Sequence, residues 1–304
     1  MSDERGSALA FTVVFLVVLL GVAALVVDWG SWFTEQRHLQ AAADAATMAA
    51  AQDLPNTALA STTATTYAAS NATGLNTWTP AFPNSNTIDV TLTKKANGIF
   101  STFLGINSMN VHAHARAMIG APDQMKNVAP VVVNRNLACM TGSNCFGPSH
   151  GLDLNFDDPT GPNTRAGLID VTGHASSSTA CVNNVTSTST MRGWITGGYP
   201  NLLPVNHWYA VPPGVKNGIK QGFDDAVSHQ STLLFPVIDN GISTACGGAG
   251  GFHVIGWSAF VITSVVRWSS SHILHGYFVE YIAHDVNITP GVPLYGVKVI
   301  GLVQ

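Results

Sequence analysis

Charge is scarce in this sequence. Only 10% of its residues are Asp, Glu, Lys or Arg, against roughly 25% in an average soluble domain, while Thr, Ser, Asn, Ala and Gly are plentiful. That balance suits a wet, weakly charged surface outside the cytoplasm. A basic surplus is also missing. Lys and Arg number 13 against 17 Asp and Glu, with Lys94-Lys95 as the one basic doublet, which leaves no electrostatic footprint for nucleic acid. Cysteine is absent before residue 139, and Cys139, Cys145, Cys181 and Cys246 form neither a CxxC pair nor a zinc-ligand spacing. The string GxSxG occurs once, as Gly147-Pro148-Ser149-His150-Gly151, between the strands expected at 129–133 and 165–172 rather than on the strand-to-helix turn of a nucleophile elbow. Gly256-Trp257-Ser258-Ala259-Phe260 lacks the final glycine, and Asp224-Asp225 are adjacent in a helical pattern and so point apart, which argues against paired acid–base work. No catalytic residue, cofactor or small-molecule substrate is indicated, and no internal repeat of fixed period is present.

What is present begins at the N-terminus. Leu9 to Val27 is apolar without a single charge. At about 1.5 Å per residue these residues approach 28 Å, close to the roughly 30 Å hydrocarbon core of a bilayer. A membrane span over about residues 6–27 is therefore expected, with Asp28, Trp29, Trp32 and Phe33 at the interface. A cleaved secretory signal has a shorter apolar core and a small-x-small site, which Asp28-Trp29-Gly30 does not supply. Asp3 and Glu4 offset Arg5, so the cysteines and low charge downstream carry the orientation: N-terminus cytoplasmic, body extracytoplasmic. No helix breaker follows until Pro55, and residues 34–53 are rich in strong helix formers. The span should continue as an Ala-rich rod whose small residues allow close approach to a neighbouring helix or to the body.

Several of these residues fall into one pattern: Arg5-Gly6, an aliphatic span, Asp28 and Gly30 in VDWG, then Arg37, Leu39, Gln40, Ala42, Ala43, Asp44 and Ala45 in RHLQAAADAA. The combination resembles the TadE/TadG-like family of Tad (Flp) pilus-assembly proteins, directly over about the first 55 residues and more loosely, towards the longer TadG-related members, further on. The resemblance implies a bacterial single-pass protein of the inner membrane that serves a pilus machine without enzymatic activity, with the membrane and other Tad proteins or pilins as partners. One position departs from pilin-like substrates of prepilin peptidase. They carry Glu at the fifth residue of the mature chain, where counting from Ser7 gives Phe11. A stable, uncut anchor is the expectation.

The remainder reads as α+β. Three parts are expected: 1–55, span and stalk helix; 56–121, a small α+β module; and 122–304, a β-rich, disulfide-bearing domain. Asn56 caps a second helix over 57–72, followed by a Pro-punctuated loop. Ile88, Val90 and Leu92 alternate with polar residues as a half-buried strand, a short helix ends at Gly105, and a further strand covers 109–119. Later strands are expected at 129–133, 165–172, 233–238, 252–263, 273–283 and 294–303, with a helix around 214–229. Four cysteines beyond a span fit two disulfides. Three connectivities exist, and the short turn-rich loop between Cys139 and Cys145 favours that pair together with Cys181–Cys246.

Candidate ligand sets are few and each has a plainer explanation. His112, His114 and Arg116 share one strand face and read as its polar side. Asp153, Asn155 and Asp157 place oxygens at alternate positions, but an EF-hand needs Gly and Glu where Asp158 and Thr164 stand. Asp239-x-Gly241-x-Ser243 follows an apolar strand in the manner of an adhesion-type metal site, with Gly241 where a serine is wanted. The aromatics Trp194, Tyr199, Trp208, Tyr209, Trp257, Trp268 and Tyr277 could form a sugar platform, although large aromatics more often fill a core. The reading that results is a non-enzymatic, membrane-anchored interaction protein of Tad pilus assembly; the alternative is a surface-exposed adhesive or metal-dependent binding module on the same anchor.

Overall fold

A computed structural model describes residues 4–137, 146–156, 166–182, 184, 187–212, 217–239, 246, 250–289 and 291–303. Cys139, Cys145, Asp157 and Ser243 lie outside the described residues, as does the side chain of Arg5. The chain divides into two compact units, one of residues 1–119 with 301–304 and one of residues 120–300. The class is α+β.

The first unit is built on one long helix, α1 (Glu4–Ala51). Its first half is apolar on every side and exposed from Phe11 to Val27 except at half-buried Ala24, and among the described residues it is the one helix long and apolar enough to cross a membrane. Its second half carries a one-sided pattern. Leu39, Ala42, Ala43, Ala46, Ala50 and Ala51 are buried, while Gln36, Arg37, His38 and Ala41 are exposed. The helix therefore changes from a rod without sidedness to a rod with a buried stripe at the level of Asp28.

After the turn at residues 52–56 the chain doubles back as α2 (Thr57–Asn71), whose first free N–H groups are capped by the Asn56 side chain, which accepts from Leu59 N. Ala60, Ala64 and Ala68 recur every fourth residue and are buried, so a row of small side chains on each helix lets the backbones approach. Strands β1 (Leu75–Asn84), β2 (Thr87–Asn97) and β3 (Ser108–Pro122) follow as an antiparallel meander, and Gly301–Val303 joins this unit on the β3 side. Ile88, Val90, Leu92, Val111, Ala113 and Ala115 are buried, and α1 contacts both α2 and β2. The loop expected over Pro80 and Pro83 is in fact β1. Both prolines fit there because β1 ends the sheet and pairs with β2 alone among the described strands, and an edge strand can spare the missing N–H. Between β2 and β3 lies a 3₁₀ turn, Ser101–Leu104, closed by Gly105 at φ 81°, a left-handed conformation that glycine adopts without strain.

The second unit holds β4 (Gln124–Met125), β5 (Val131–Asn134), β6 (Leu152–Asn155), β7 (Ala166–Leu168), α3 (Thr188–Gly197), β8 (Leu203–Pro204), β9 (His207–Ala210) and α4 (Lys220–Ser228). The chain continues as β10 (Thr232–Ile238), β11 (Gly251–Val266), β12 (Ile273–Val279), β13 (Tyr281–Ile282), β14 (Ile288–Thr289) and β15 (Val297–Val303), of which residues 297–300 belong to this unit. The main sheet runs β6-β12-β11-β10-β5-β7, with β9 also paired to β11. It is buried on both faces. Leu233, Phe235 and Val237 of β10 enter one core with Phe223 of α4 and Met191 and Ile195 of α3, while Leu234 and Ile238 enter the other with Phe252 and Trp257. Two-sided burial is why β10 reads as an unbroken apolar run. In β11 the alternation changes sides: Phe252 and Val254 share a core with Trp257 and Ala259, while Phe260 and Ile262 face the other. A register shift opposite Val237/Ile238 supplies the extra residue.

Candidate functional site

The densest set of specific contacts around the residues singled out in the sequence is the seam where α1 meets its own sheet. Asp28 is 1% exposed. Its Oδ1 accepts from Ile99 N at 3.0 Å and Phe100 N at 3.2 Å, and its Oδ2 accepts from Phe100 N at 3.0 Å and from Ser101 N. The carboxylate thus satisfies the N–H groups that open the 3₁₀ turn, the role a capping side chain plays at a helix start. Burial pushes this carboxyl up, but the hydrogen bonds from Ser101, Phe100 and Ile99 outweigh it and hold the group at about 2.

Climbing α1, Trp32 Nε1 donates to Asn97 O at 3.3 Å and Glu35 pairs with Lys94. Leu39 is buried at 1%, and Gln40 Nε2 donates to His114 O at 2.8 Å and to Asp44 Oδ1 at 2.9 Å. Ala42, Ala43 and Ala46 then close the packing at 0–2% exposure. Side-chain partners on the sheet run 99–101, 97, 94 as α1 runs 28, 32, 35, so β2 descends antiparallel to the helix. Arg37 takes no part in this seam and instead stacks over Phe33, 5.2 Å from the ring centroid. Gly30 is exposed and a Cβ there would meet nothing; nothing in the structure explains the glycine.

Residues 6–53 match the family model described as "Putative Flp pilus-assembly TadE/G-like". The N-terminal segment is TadE/G-like. No match was found among curated proteins or among solved structures. The TadE/G-like segment coincides with α1 and its turn, and most of its polar and small positions are occupied by contacts inside the first unit. The Ala-rich stripe packs inside the first unit, against both the neighbouring helix α2 and strand β2.

Apart from His114, whose carbonyl accepts from Gln40, the other sequence candidates are separate from this seam. His112 Nδ1 lies 3.0 Å from Thr93 Oγ1, and Arg116 makes a two-pronged contact with Asp89, so the exposed face of β3 is occupied by cross-strand pairs. Asp153 Oδ1 lies 2.7 Å from His275 Nδ1, the residue opposite it on β12, and Asn155 is paired through its backbone with Ile273. Asp239 Oδ2 lies 3.1 Å from His253 Nδ1. Among the described residues no three or more His, Cys, Asp or Glu side chains gather as a metal would require. Of the seven aromatics, Tyr209, Trp257 and Trp268 are core, Trp194 packs edge-on to Tyr199 and Trp208 stacks on His253; no continuous platform results from these. Cys181 is joined to Cys246, and the pair sits with Ala210, Ala175 and Trp208 in a small cluster.

Sequence reasoning found Asp28 but read it as an interfacial charge. It also placed a short helix ending at Gly105, where the structure has the 3₁₀ turn Ser101–Leu104, but it missed that Asp28 holds the start of that turn. The available signal was that Asp28 is the one charged residue between Arg5 and Glu35; nothing local names its partner.

Proposed function

We propose that this protein is a single-pass, membrane-anchored component of Tad (Flp) pilus assembly that acts through protein contacts rather than catalysis. The observation that carries the reading is the coincidence of the TadE/G-like match at residues 6–53 with one continuous helix whose first half is apolar on all sides. The N-terminus lies in the cytoplasm and both units lie beyond the membrane, a direction supported by the Cys181–Cys246 disulfide, since such bonds persist in oxidising compartments. The anchor stays uncut, because Phe11 stands where a processed pilin carries Glu. The seam on α1 holds the first unit at a fixed height on its span, so that the surface offered to pilus components has a defined position.

Deletion of the gene in the source bacterium tests the pathway. Pilus number should fall and return when the gene is restored; unchanged pilus number would remove the assignment. Intact-mass measurement on protein extracted from membranes should show no cleavage before Ser7, and a chain beginning at Ser7 would remove the uncut anchor.

A further inference from the structure

We infer that the connection between β2 and β3, residues 98–107, is a second membrane-contacting element, a lipid-immersed tip lying beside the span. The inference rests on the reading of α1 as a membrane anchor and deepens it. The contacts along the seam set the direction. Gln40 meets His114 and Asp28 meets residues 99–101, so β2 runs toward the membrane end of α1 and β3 runs away from it. From Gln40 down to Asp28 the helix descends about 18 Å, and from His114 down to Ser108 the strand descends about 20 Å. The connection beyond Ser108 therefore lies at or below the level of Asp28, the first residue after the apolar span.

What the connection displays there is apolar. Phe103 is 90% exposed, and Ile99, Phe100 and Ile106 are exposed with it, as are Trp29 and Phe33 on the adjoining turns of α1. No Asp, Glu, Lys or Arg occurs between Lys95 and Arg116. An exposed cluster of this kind marks an interaction surface, and aromatic and aliphatic side chains next to a span are suited to the interfacial region of a bilayer.

A second, independent observation concerns the backbone. Polar backbone groups enter lipid only when they are satisfied within the protein. Here Ile99, Phe100 and Ser101 donate to Asp28, Gly98 N donates to Asn107 O, Phe103 N to Phe100 O, Gly105 N to Thr102 O and Ile106 N to Ser101 O. The Ser101 hydroxyl also donates to Ile106 O. A loop meant for water would not need so closed a set of internal bonds. Lys95, exposed just above the tip, is placed to meet lipid phosphates.

The test is photochemical and uses the full chain reconstituted in phosphatidylethanolamine–phosphatidylglycerol vesicles. A benzoylphenylalanine probe replaces Phe15 within the span, Phe103 at the tip, or Leu59, exposed at the far end of α2, one position at a time, and lipid adducts are read by mass spectrometry. Adducts are expected at 15 and 103, with position 59 at the level of an unirradiated control. Adducts at 15 but not at 103 would overturn this inference and leave the anchor standing, whereas none at 15 would overturn the anchor itself. Equal adducts at 59 and 103, or a protein adduct alone at 103, would also overturn the tip, the latter by assigning the same surface to a protein partner.

Discussion

Asp28 shows how much one side chain can settle. A carboxylate 1% exposed where the apolar half of α1 ends would be costly without partners; here the N–H groups of Ile99, Phe100 and Ser101 complete it. Its folded-state value of about 2 lies below the roughly 3.9 of an unfolded Asp. The stabilisation it provides is therefore complete above about pH 4 and is lost as pH falls through the folded value. Hydrogen exchange on the detergent-solubilised chain should show amides 99–101 protected at pH 7 and opening between about pH 4 and pH 2. In Asp28→Asn, which keeps the shape but loses the charge, the same amides should exchange faster at pH 7. If exchange at 99–101 is unchanged by the substitution, the carboxylate does not hold the turn. This contact was not legible in the sequence, because the partners lie 71 to 73 positions away and offer only main-chain groups, which every residue carries.

At the level of elements, the packing of α1 gives predictions of opposite kinds. Ala46 is fully buried, so Ala46→Leu forces extra volume into a filled space and should cost about 1–3 kcal/mol. Leu39→Ala removes volume at a buried position and should cost about 2–5 kcal/mol. Ala41→Leu, on the exposed side, should change stability by less than about 0.5 kcal/mol. Denaturant unfolding followed by helical circular dichroism would separate the three. If Ala41→Leu and Ala46→Leu behaved alike, the seam would be assigned to the wrong face.

Elements were legible where one physical rule dominated. The Ala-rich half of α1 follows from strong helix formers, α2 from its alanines and the Asn56 cap, β2 and β3 from strict alternation, and β10 from its apolar run. β1 was hidden because Pro80 and Pro83 read as loop unless the strand is known to be an edge. The helix α3 was hidden because TSTMRGWITG combines weak helix formers with two glycines, although Ser187 does cap it by accepting from Thr190 N. Of the helix expected around 214–229, residues 217–228 are helical, and 214–216 lie outside the described residues. The candidate ligands His112, Asp153 and Asp239 were visible as residue types. Their actual neighbours, Thr93, His275 and His253, depend on strand register, which the sequence does not state.

For the molecule as a whole, the two units are secured differently. The first relies on the seam along α1. The second adds the bond between Cys181 and Cys246, which are 65 positions apart, and a cross-link closing such a loop stabilises by about 2–4 kcal/mol. The double variant Cys181→Ala, Cys246→Ala should therefore unfold at lower temperature by calorimetry, with near-ultraviolet circular dichroism following the second unit's aromatic core. An unchanged transition would mean that the cross-link adds nothing to stability.

The unbroken course of α1 has a mechanical consequence. A helix without a hinge couples rotation as well as height, since each residue advances the chain by about 100°. One alanine inserted between Val27 and Asp28 would raise the first unit by only about 1.5 Å yet turn it by more than a quarter of a circle relative to the span. If assembly reads both the span and the unit above it, piliation should fail with one or two inserted residues and recover near the fourth, when the angular phase returns. The anchor then works as a keyed shaft, and its bearing around the membrane normal matters as much as its depth.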